Sequence, residues 1–279
     1  MDLAPAHSAV PRMALLPVLL TAAASFVAAA CFGAVALALR RRRYSPELRE
    51  AGQAYVLWWA MFCVQAVTDA LRMLMGAVEP VDVQVYLALA ALKIVAAGVG
   101  IWALARYVLF LWSGSRWLSI PLMAFAASHA GLFLWLLYRG LPATIEVGVW
   151  APRLVLSGAS PLPGGIGPLV LVFFFVPPIL LALAYFALRP RMETRTQKVR
   201  VTAIALALLV FQVVATIQFN PSTSADTPIF ALLALINAAV GLFIYATYNP
   251  PPWMTRVFGI EGLAKEPARD DIDPELLLR

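Results

Sequence analysis

Histidine, cysteine and charge are all scarce in this chain. It has two histidines, His7 and His129, and two cysteines, Cys31 and Cys63, in 279 residues. With His7 in the N-terminal tail, His129 alone cannot build a bis-histidine haem site or a histidine-rich zinc site. No CxxC pair or Cys/His spacing is present, which excludes a disulfide framework and the common metal patterns. No cofactor is implied. The apolar runs hold no paired carboxylates, no GxSxG and no HExxH, and Asp69 is their only aspartate, so an intramembrane enzyme is not expected. Charged residues make up 13% of the chain, against about 25% in a typical soluble domain.

What replaces charge is apolar sequence, at 62% of residues. Seven runs are long enough to cross a hydrocarbon core about 30 Å thick, which takes roughly 20 helical residues. They lie near 13–39, 54–78, 83–112, 117–138, 166–188, 199–219 and 228–248. The expected fold is therefore all-α, a polytopic bundle of seven transmembrane helices in one domain (13–248), with an N-terminal tail (1–12) and a C-terminal tail (249–279). The first run ends on Arg40-Arg41-Arg42-Arg43 and is too long for a signal peptide, so it reads as a retained helix.

Basic residues set the orientation. Arg40–Arg43 and Arg49 fall in the first connection, Arg116 in the third, and Arg189, Arg191, Arg195, Lys198 and Arg200 in or beside the fifth. The second connection carries Glu79 and Asp82 and the sixth carries Asp226. The positive-inside rule then puts the N-terminus outside and the C-terminus in the cytoplasm. This loop-confined surplus points to a lipid bilayer as partner and not to nucleic acid. The Ala-, Leu- and Arg-rich composition suits a bacterial inner membrane.

Two segments outside the spans stand out. The fourth connection, about 139–165, is the longest and is compatible with either a hairpin lid or an irregular loop; Pro152 fits poorly as the second central residue of a tight turn. The C-terminal tail opens on Pro250-Pro251-Pro252, which stops helix seven. Trp253, Met254, Val257, Phe258 and Ile260 after it suit a short amphipathic segment on the inner membrane surface, and Asp270, Asp271, Asp273 and Glu275 a flexible end.

Ionisable side chains inside the spans are costly and mark candidate sites. At about 1.5 Å per residue, Asp69 and Lys93 each lie about 15 Å below the outer boundary, His129 and Asn237 about 14 Å, and Gln212 about 10 Å. Helical spacing adds direction. Gln65, Asp69, Arg72 and Gly76 share a stripe on helix two; Tyr86, Ala90, Lys93, Ala97 and Gly100 share one on helix three; Thr202, Ala205, Leu209, Gln212 and Thr216 share one on helix six. With His129 neutral, Asp69, Arg72 and Lys93 carry one negative and two positive charges. Three resolutions exist: an anionic ligand enters, Lys93 loses its proton, or Arg72 turns outward toward Glu79 or Asp82 and leaves an Asp69–Lys93 clip. Helix five carries Pro177-Pro178 near its middle, a candidate hinge or a fixed kink that frees carbonyls near Phe173 and Phe174.

Seven helices with the N-terminus outside match the layout of rhodopsins and G-protein-coupled receptors, but helix seven has no lysine for a retinal, and Ala105 and Trp253 replace key positions of the receptor motifs. The span layout, the basic fifth connection and the exit Tyr248-Asn249-Pro250-Pro251-Pro252-Trp253 are similar to the seven-helix membrane region of some bacterial histidine kinases and diguanylate cyclases. That resemblance covers most of 13–260 and implies a sensor. Since the sequence stops at Arg279, output is expected through a separate partner.

The expected role is a non-enzymatic sensor or receptor binding a small anionic or amphipathic ligand in an outer cavity lined by Asp69, Arg72, Lys93, His129, Gln212 and Asn237. The tail would report to a cytoplasmic or membrane protein. A small-molecule or proton-coupled transporter and a structural subunit of a membrane complex are the alternatives.

Overall fold

A computed structural model describes residues 15–41, 49–76, 82–113, 119–156, 166–218 and 226–262. The N-terminal tail 1–12, Arg42, Arg43, Glu79, Arg116 and the acidic stretch 270–275 lie outside the described residues. Seven long helices form: α1 (Leu15–Arg40), α2 (Arg49–Met75), α3 (Val83–Ser113), α4 (Ser119–Arg139), α5 (Ile166–Leu188), α6 (Arg195–Gln218) and α7 (Ile229–Tyr248). All seven are long and apolar enough to cross a membrane. Without water in a bilayer core, a helix is one of only two ways to satisfy every backbone group internally. The protein is thus an all-α integral membrane protein.

Sequence order sets most of the packing. α1 packs on α2 and α7, α2 on α3, α3 on α5, α5 on α6 and α6 on α7, closing a six-helix ring, with α4 outside it against α3. Small residues permit the closest approaches. A Cβ on Gly241 of α7 would sit 3.3 Å from the Ala28 Cα of α1, and one on Gly98 of α3 would sit 3.1 Å from the Ala130 Cβ of α4.

Between α4 and α5 the chain forms a hairpin of β1 (Ala143–Val147) and β2 (Pro152–Leu156), antiparallel in the register Ala143↔Leu156 to Val147↔Pro152. Of the two forms open to this connection, the hairpin is the one adopted. Pro152 escapes the turn by opening β2, leaving Gly148–Ala151 to reverse the chain, with the Gly148 N–H donating to the Ala151 carbonyl at 3.1 Å. The hairpin rests on α2 and α3, which defines a hairpin end of the bundle. At the opposite, tail end, α8 (Pro252–Phe258) follows α7 after the proline run.

The core fills the tail half with rings. Phe32, Tyr55, Trp58, Trp59, Leu104, Tyr185 and Tyr248 are buried there, with Phe62, Tyr107 and Phe211 packed against them. Trp58 and Trp59 centroids lie 4.2 Å apart, and Tyr55 stacks on Tyr107 at 4.3 Å. The ring interior therefore changes along its axis, from aromatic at the tail end to polar toward the hairpin.

Candidate functional site

α2 and α3 run antiparallel, so residues that ascend one helix descend the other. Asp69 and Arg72 are three apart on α2; Lys93 and Tyr86 are seven apart on α3. The Lys93 Nζ donates to both Asp69 oxygens, at 2.8 and 2.7 Å. Arg72 lies about 4.5 Å nearer the hairpin than Asp69, and Tyr86 about 10 Å nearer than Lys93. The long arginine stem spans that difference. Its Nη1 stays 3.6 Å from Asp69 Oδ1, while Nη2 donates to the Tyr86 hydroxyl at 2.9 Å. The guanidinium also sits over the Tyr86 ring, 4.6 Å from its centroid.

Tyr86 passes the connection to the hairpin. Its hydroxyl accepts from Arg72 and donates to the Pro152 carbonyl of β2 at 3.0 Å. The hairpin turn in turn reaches α7, because the Val149 N–H donates to Asp226 Oδ1, three residues before that helix, at 3.0 Å. One polar chain thus runs from Asp69 through Arg72, Tyr86 and the hairpin to the start of α7.

Arg72 stays in the charged set and does not turn toward the loop. Asp82 is engaged elsewhere, its Oδ1 accepting from the Gln84 and Val85 N–H groups at 2.8 and 3.3 Å and capping α3. With all three groups ionised, this trio of one carboxylate and two cations carries one net positive charge. Its side chains keep 18–23% exposure, enough for an approach from outside the helix pair. The shielded Arg72 Nε has no hydrogen-bond partner among the described residues. A buried donor left unmade costs about 1–3 kcal/mol, and an oxygen anion would satisfy it. Arginine is well suited to carboxylates and phosphates, because its donors form a planar fork.

The other expected site residues are not hydrogen-bonded to the trio. His129 lies between α4 and α5, its Nδ1 3.1 Å from the Phe173 carbonyl. The cause is four residues away. Pro177 has no N–H, so the Phe173 carbonyl loses its helical donor, and a His129 tautomer with hydrogen on Nδ1 replaces it. α5 remains helical from Ile166 to Leu188 across both prolines. Gln212 and Asn237 are polar groups on the adjacent helices α6 and α7, and Gln212 Nε2 and Asn237 Oδ1 are buried without hydrogen-bond partners among the described residues. The expected stripe on α6 needs correction. Ala205 and Gln212 face inward, but Leu209 and Thr216 are exposed. The Thr216 hydroxyl donates to the Gln212 carbonyl at 2.7 Å and the Thr202 hydroxyl to the Lys198 carbonyl at 2.8 Å. A threonine satisfied within its own helix has no need of the bundle interior.

Sequence reasoning did not single out a second polar knot at the tail end. The Tyr55 and Tyr248 hydroxyls share a hydrogen bond. Arg200 of α6 lies over the Tyr248 ring at 4.8 Å and donates from Nε to the Thr247 carbonyl at 2.9 Å. Its Nη2 donates to the Glu261 carbonyl at 2.8 Å, and the Glu261 N–H donates to Thr196 Oγ1 at 3.0 Å. Arg200 therefore clamps the end of α7 and the tail onto α6. The signal available in the sequence was the spacing Tyr55, Trp58, Trp59, Phe62, an i, i+3, i+4, i+7 stripe on α2.

No protein-family model, no curated protein and no solved structure matches this chain.

Proposed function

We propose that the protein is a non-enzymatic membrane sensor that binds a small anionic or amphipathic ligand at the hairpin end of α2 and α3. The observation that carries this reading is the net positive trio Asp69, Arg72 and Lys93, tied to the hairpin through Tyr86. By the positive-inside rule the hairpin end faces outward and the tail end the cytoplasm, in a bacterial inner membrane. A carboxylate or phosphate oxygen bound by Arg72 and Lys93 neutralises the trio. It also competes for the guanidinium that Tyr86 now holds. Releasing Tyr86 loosens the Pro152 tie, and the hairpin's bond to Asp226 passes that change to α7. The far end of α7 carries Tyr248, under Arg200 and against Tyr55, so the tail is where a protein partner would read the change. Gln212 and Asn237 supply an unspent donor and acceptor for a ligand with a polar head beyond its charge. His129 serves by holding α5 in place.

The test is thermal unfolding of purified protein with acetate, benzoate, succinate and inorganic phosphate, comparing wild type with Lys93→Met and Asp69→Asn. One class of anion should raise the wild-type midpoint, raise that of Asp69→Asn at least as much, since both cations then lack a counter-charge, and raise that of Lys93→Met far less. Equal stabilisation of all three proteins would remove the trio from the site.

A second reading rests on a specific observation, the two-oxygen contact of Lys93 with Asp69. Such a contact also serves as a clip between α2 and α3, as in a structural subunit of a larger complex. In that case the same anions stabilise nothing.

A further inference from the structure

The edge of α8 that faces away from the bundle is apolar. Met254 is 1% exposed and Ile260 0%, whereas Trp253 is 59% exposed, Val257 61% and Phe258 37%. On a helical wheel Trp253, Val257, Met254 and Phe258 occupy an arc of about 140°, with Thr255 and Arg256 on the remainder. Met254 is seated on the bundle, while Trp253 and Val257 on one side of it and Phe258 on the other are uncovered. Trp253 and Phe258 lie edge to face, 6.5 Å between centroids.

The position of this edge is held, not free. α8 follows α7 after only Asn249, Pro250 and Pro251, so it starts where a membrane-spanning helix ends. Gly259 closes it in the left-handed conformation at φ 60°, its N–H donating to the Thr255 carbonyl at 2.9 Å. Arg195 reaches the Val257 carbonyl at 3.5 Å, and Arg200 and Thr196 hold Glu261. Around the same end lie Arg189, Arg191, Arg195 and Arg256, all exposed. Arg191 sits over the ring of Trp112 on α3, 4.3 Å from its centroid, at the same end.

We propose that α8 is an interfacial helix that docks on anionic lipid, with Trp253, Val257 and Phe258 among the upper acyl chains and the four exposed arginines at headgroup level. Two features of the molecule argue for lipid as the occupant. The uncovered edge begins only three residues after the end of α7, and the charge around it is predominantly positive, Arg189, Arg191, Arg195 and Arg256 outnumbering the exposed Glu193 and Glu261, which is complementary to phosphodiester headgroups. Apolar area and basic residues are the two contributions that bind an amphipathic helix to an anionic surface. The proposal is independent of what binds at the hairpin end.

The full chain in phosphatidylcholine nanodiscs provides the test. Its eight tryptophans include Trp253, whose emission is isolated as the difference between wild type and Trp253→Phe. The probes are phosphatidylcholine and phosphatidylglycerol brominated on the upper acyl chain, at equal mole fraction. Both should quench the Trp253 emission, the phosphatidylglycerol by an excess of about twofold or more, since each nearby arginine enriches anionic lipid severalfold. Changing Arg189, Arg191 and Arg256 to Gln, all exposed and outside the clamp, should sharply reduce that excess and leave the phosphatidylcholine quenching unchanged. Trp253 emission quenched by aqueous iodide and by neither lipid overturns the proposal. Equal quenching by the two lipids in the wild type overturns its anionic part.

Discussion

Removing Asp69 should cost far more than removing Lys93, although the two are bonded to each other. Asp69 faces two cations, Lys93 at 2.7 Å and Arg72 at 3.6 Å. Asp69→Asn leaves both cations without a counter-charge in a low-dielectric surround. Lys93→Met leaves Asp69 with Arg72, a neutral pair that closes up by a small side-chain movement. At an effective dielectric near 20, two unit charges 4 Å apart interact by about 4 kcal/mol. Breaking a buried pair costs about 3–5 kcal/mol when one charge is stranded. The 18–23% exposure of these side chains discounts both figures. We expect about 3 kcal/mol for Asp69→Asn and about 1 kcal/mol for Lys93→Met. The double variant leaves a single cation bonded to Tyr86, so it should recover about 1 kcal/mol relative to Asp69→Asn alone. The assay is unfolding by sodium dodecyl sulfate titration in mixed micelles, followed by far-ultraviolet circular dichroism. Equal costs for the two single variants, or a double variant that is the sum of them, would refute the trio as an electrostatic unit.

Other consequences follow from single contacts. Tyr86→Phe removes the acceptor of Arg72 and the donor to Pro152, costing about 1–3 kcal/mol; amide exchange across β1 and β2 should accelerate while α2 stays protected. His129→Leu leaves the Phe173 carbonyl without its donor and should cost about 1–3 kcal/mol in the same micelle titration, with His129→Asn recovering part of it. Gly241→Leu forces α1 off α7, because a Cβ there already meets the Ala28 backbone at 3.3 Å. It should destabilise by about 2 kcal/mol or more. Gly131→Ala on α4 is the control, since its Cβ would meet nothing within 4 Å, and it should be neutral or slightly stabilising by helix propensity.

The spans were legible because the hydrocarbon core imposes one length on every crossing. Helix starts were less so. α2 begins at Arg49 and α6 at Arg195, four or five residues before their apolar runs, because a helix continues into water after hydropathy has ended. The depth of Asp69 and Lys93, worked from helical rise, is the part of the site that sequence carried best: the two side chains do meet. What Arg72 does was not legible, since its second acceptor is a tyrosine on α3 whose own acceptor is a carbonyl 66 residues further on. The His129 contact was half legible. The prolines announced a free carbonyl near Phe173 and the lone histidine announced a donor, but only the docking of α4 against α5 joins them. The aromatic half of the core hid because tryptophan and tyrosine raise no hydropathy signal inside an apolar run. The inward stripe on α6 misled because a threonine that bonds its own helix is indifferent to the side it faces.

The central claim, that an anion is held by the trio under the hairpin, is tested most directly at Arg72 Nε, a buried donor with no hydrogen-bond partner among the described residues. Arginine labelled with nitrogen-15 at Nε gives one N–H resonance for Arg72, identified by its loss in Arg72→Lys. The account predicts that titration with the anion that stabilises the protein shifts this resonance saturably, and that Lys93→Met weakens the response. An Arg72 resonance that stays in place throughout the titration would contradict it.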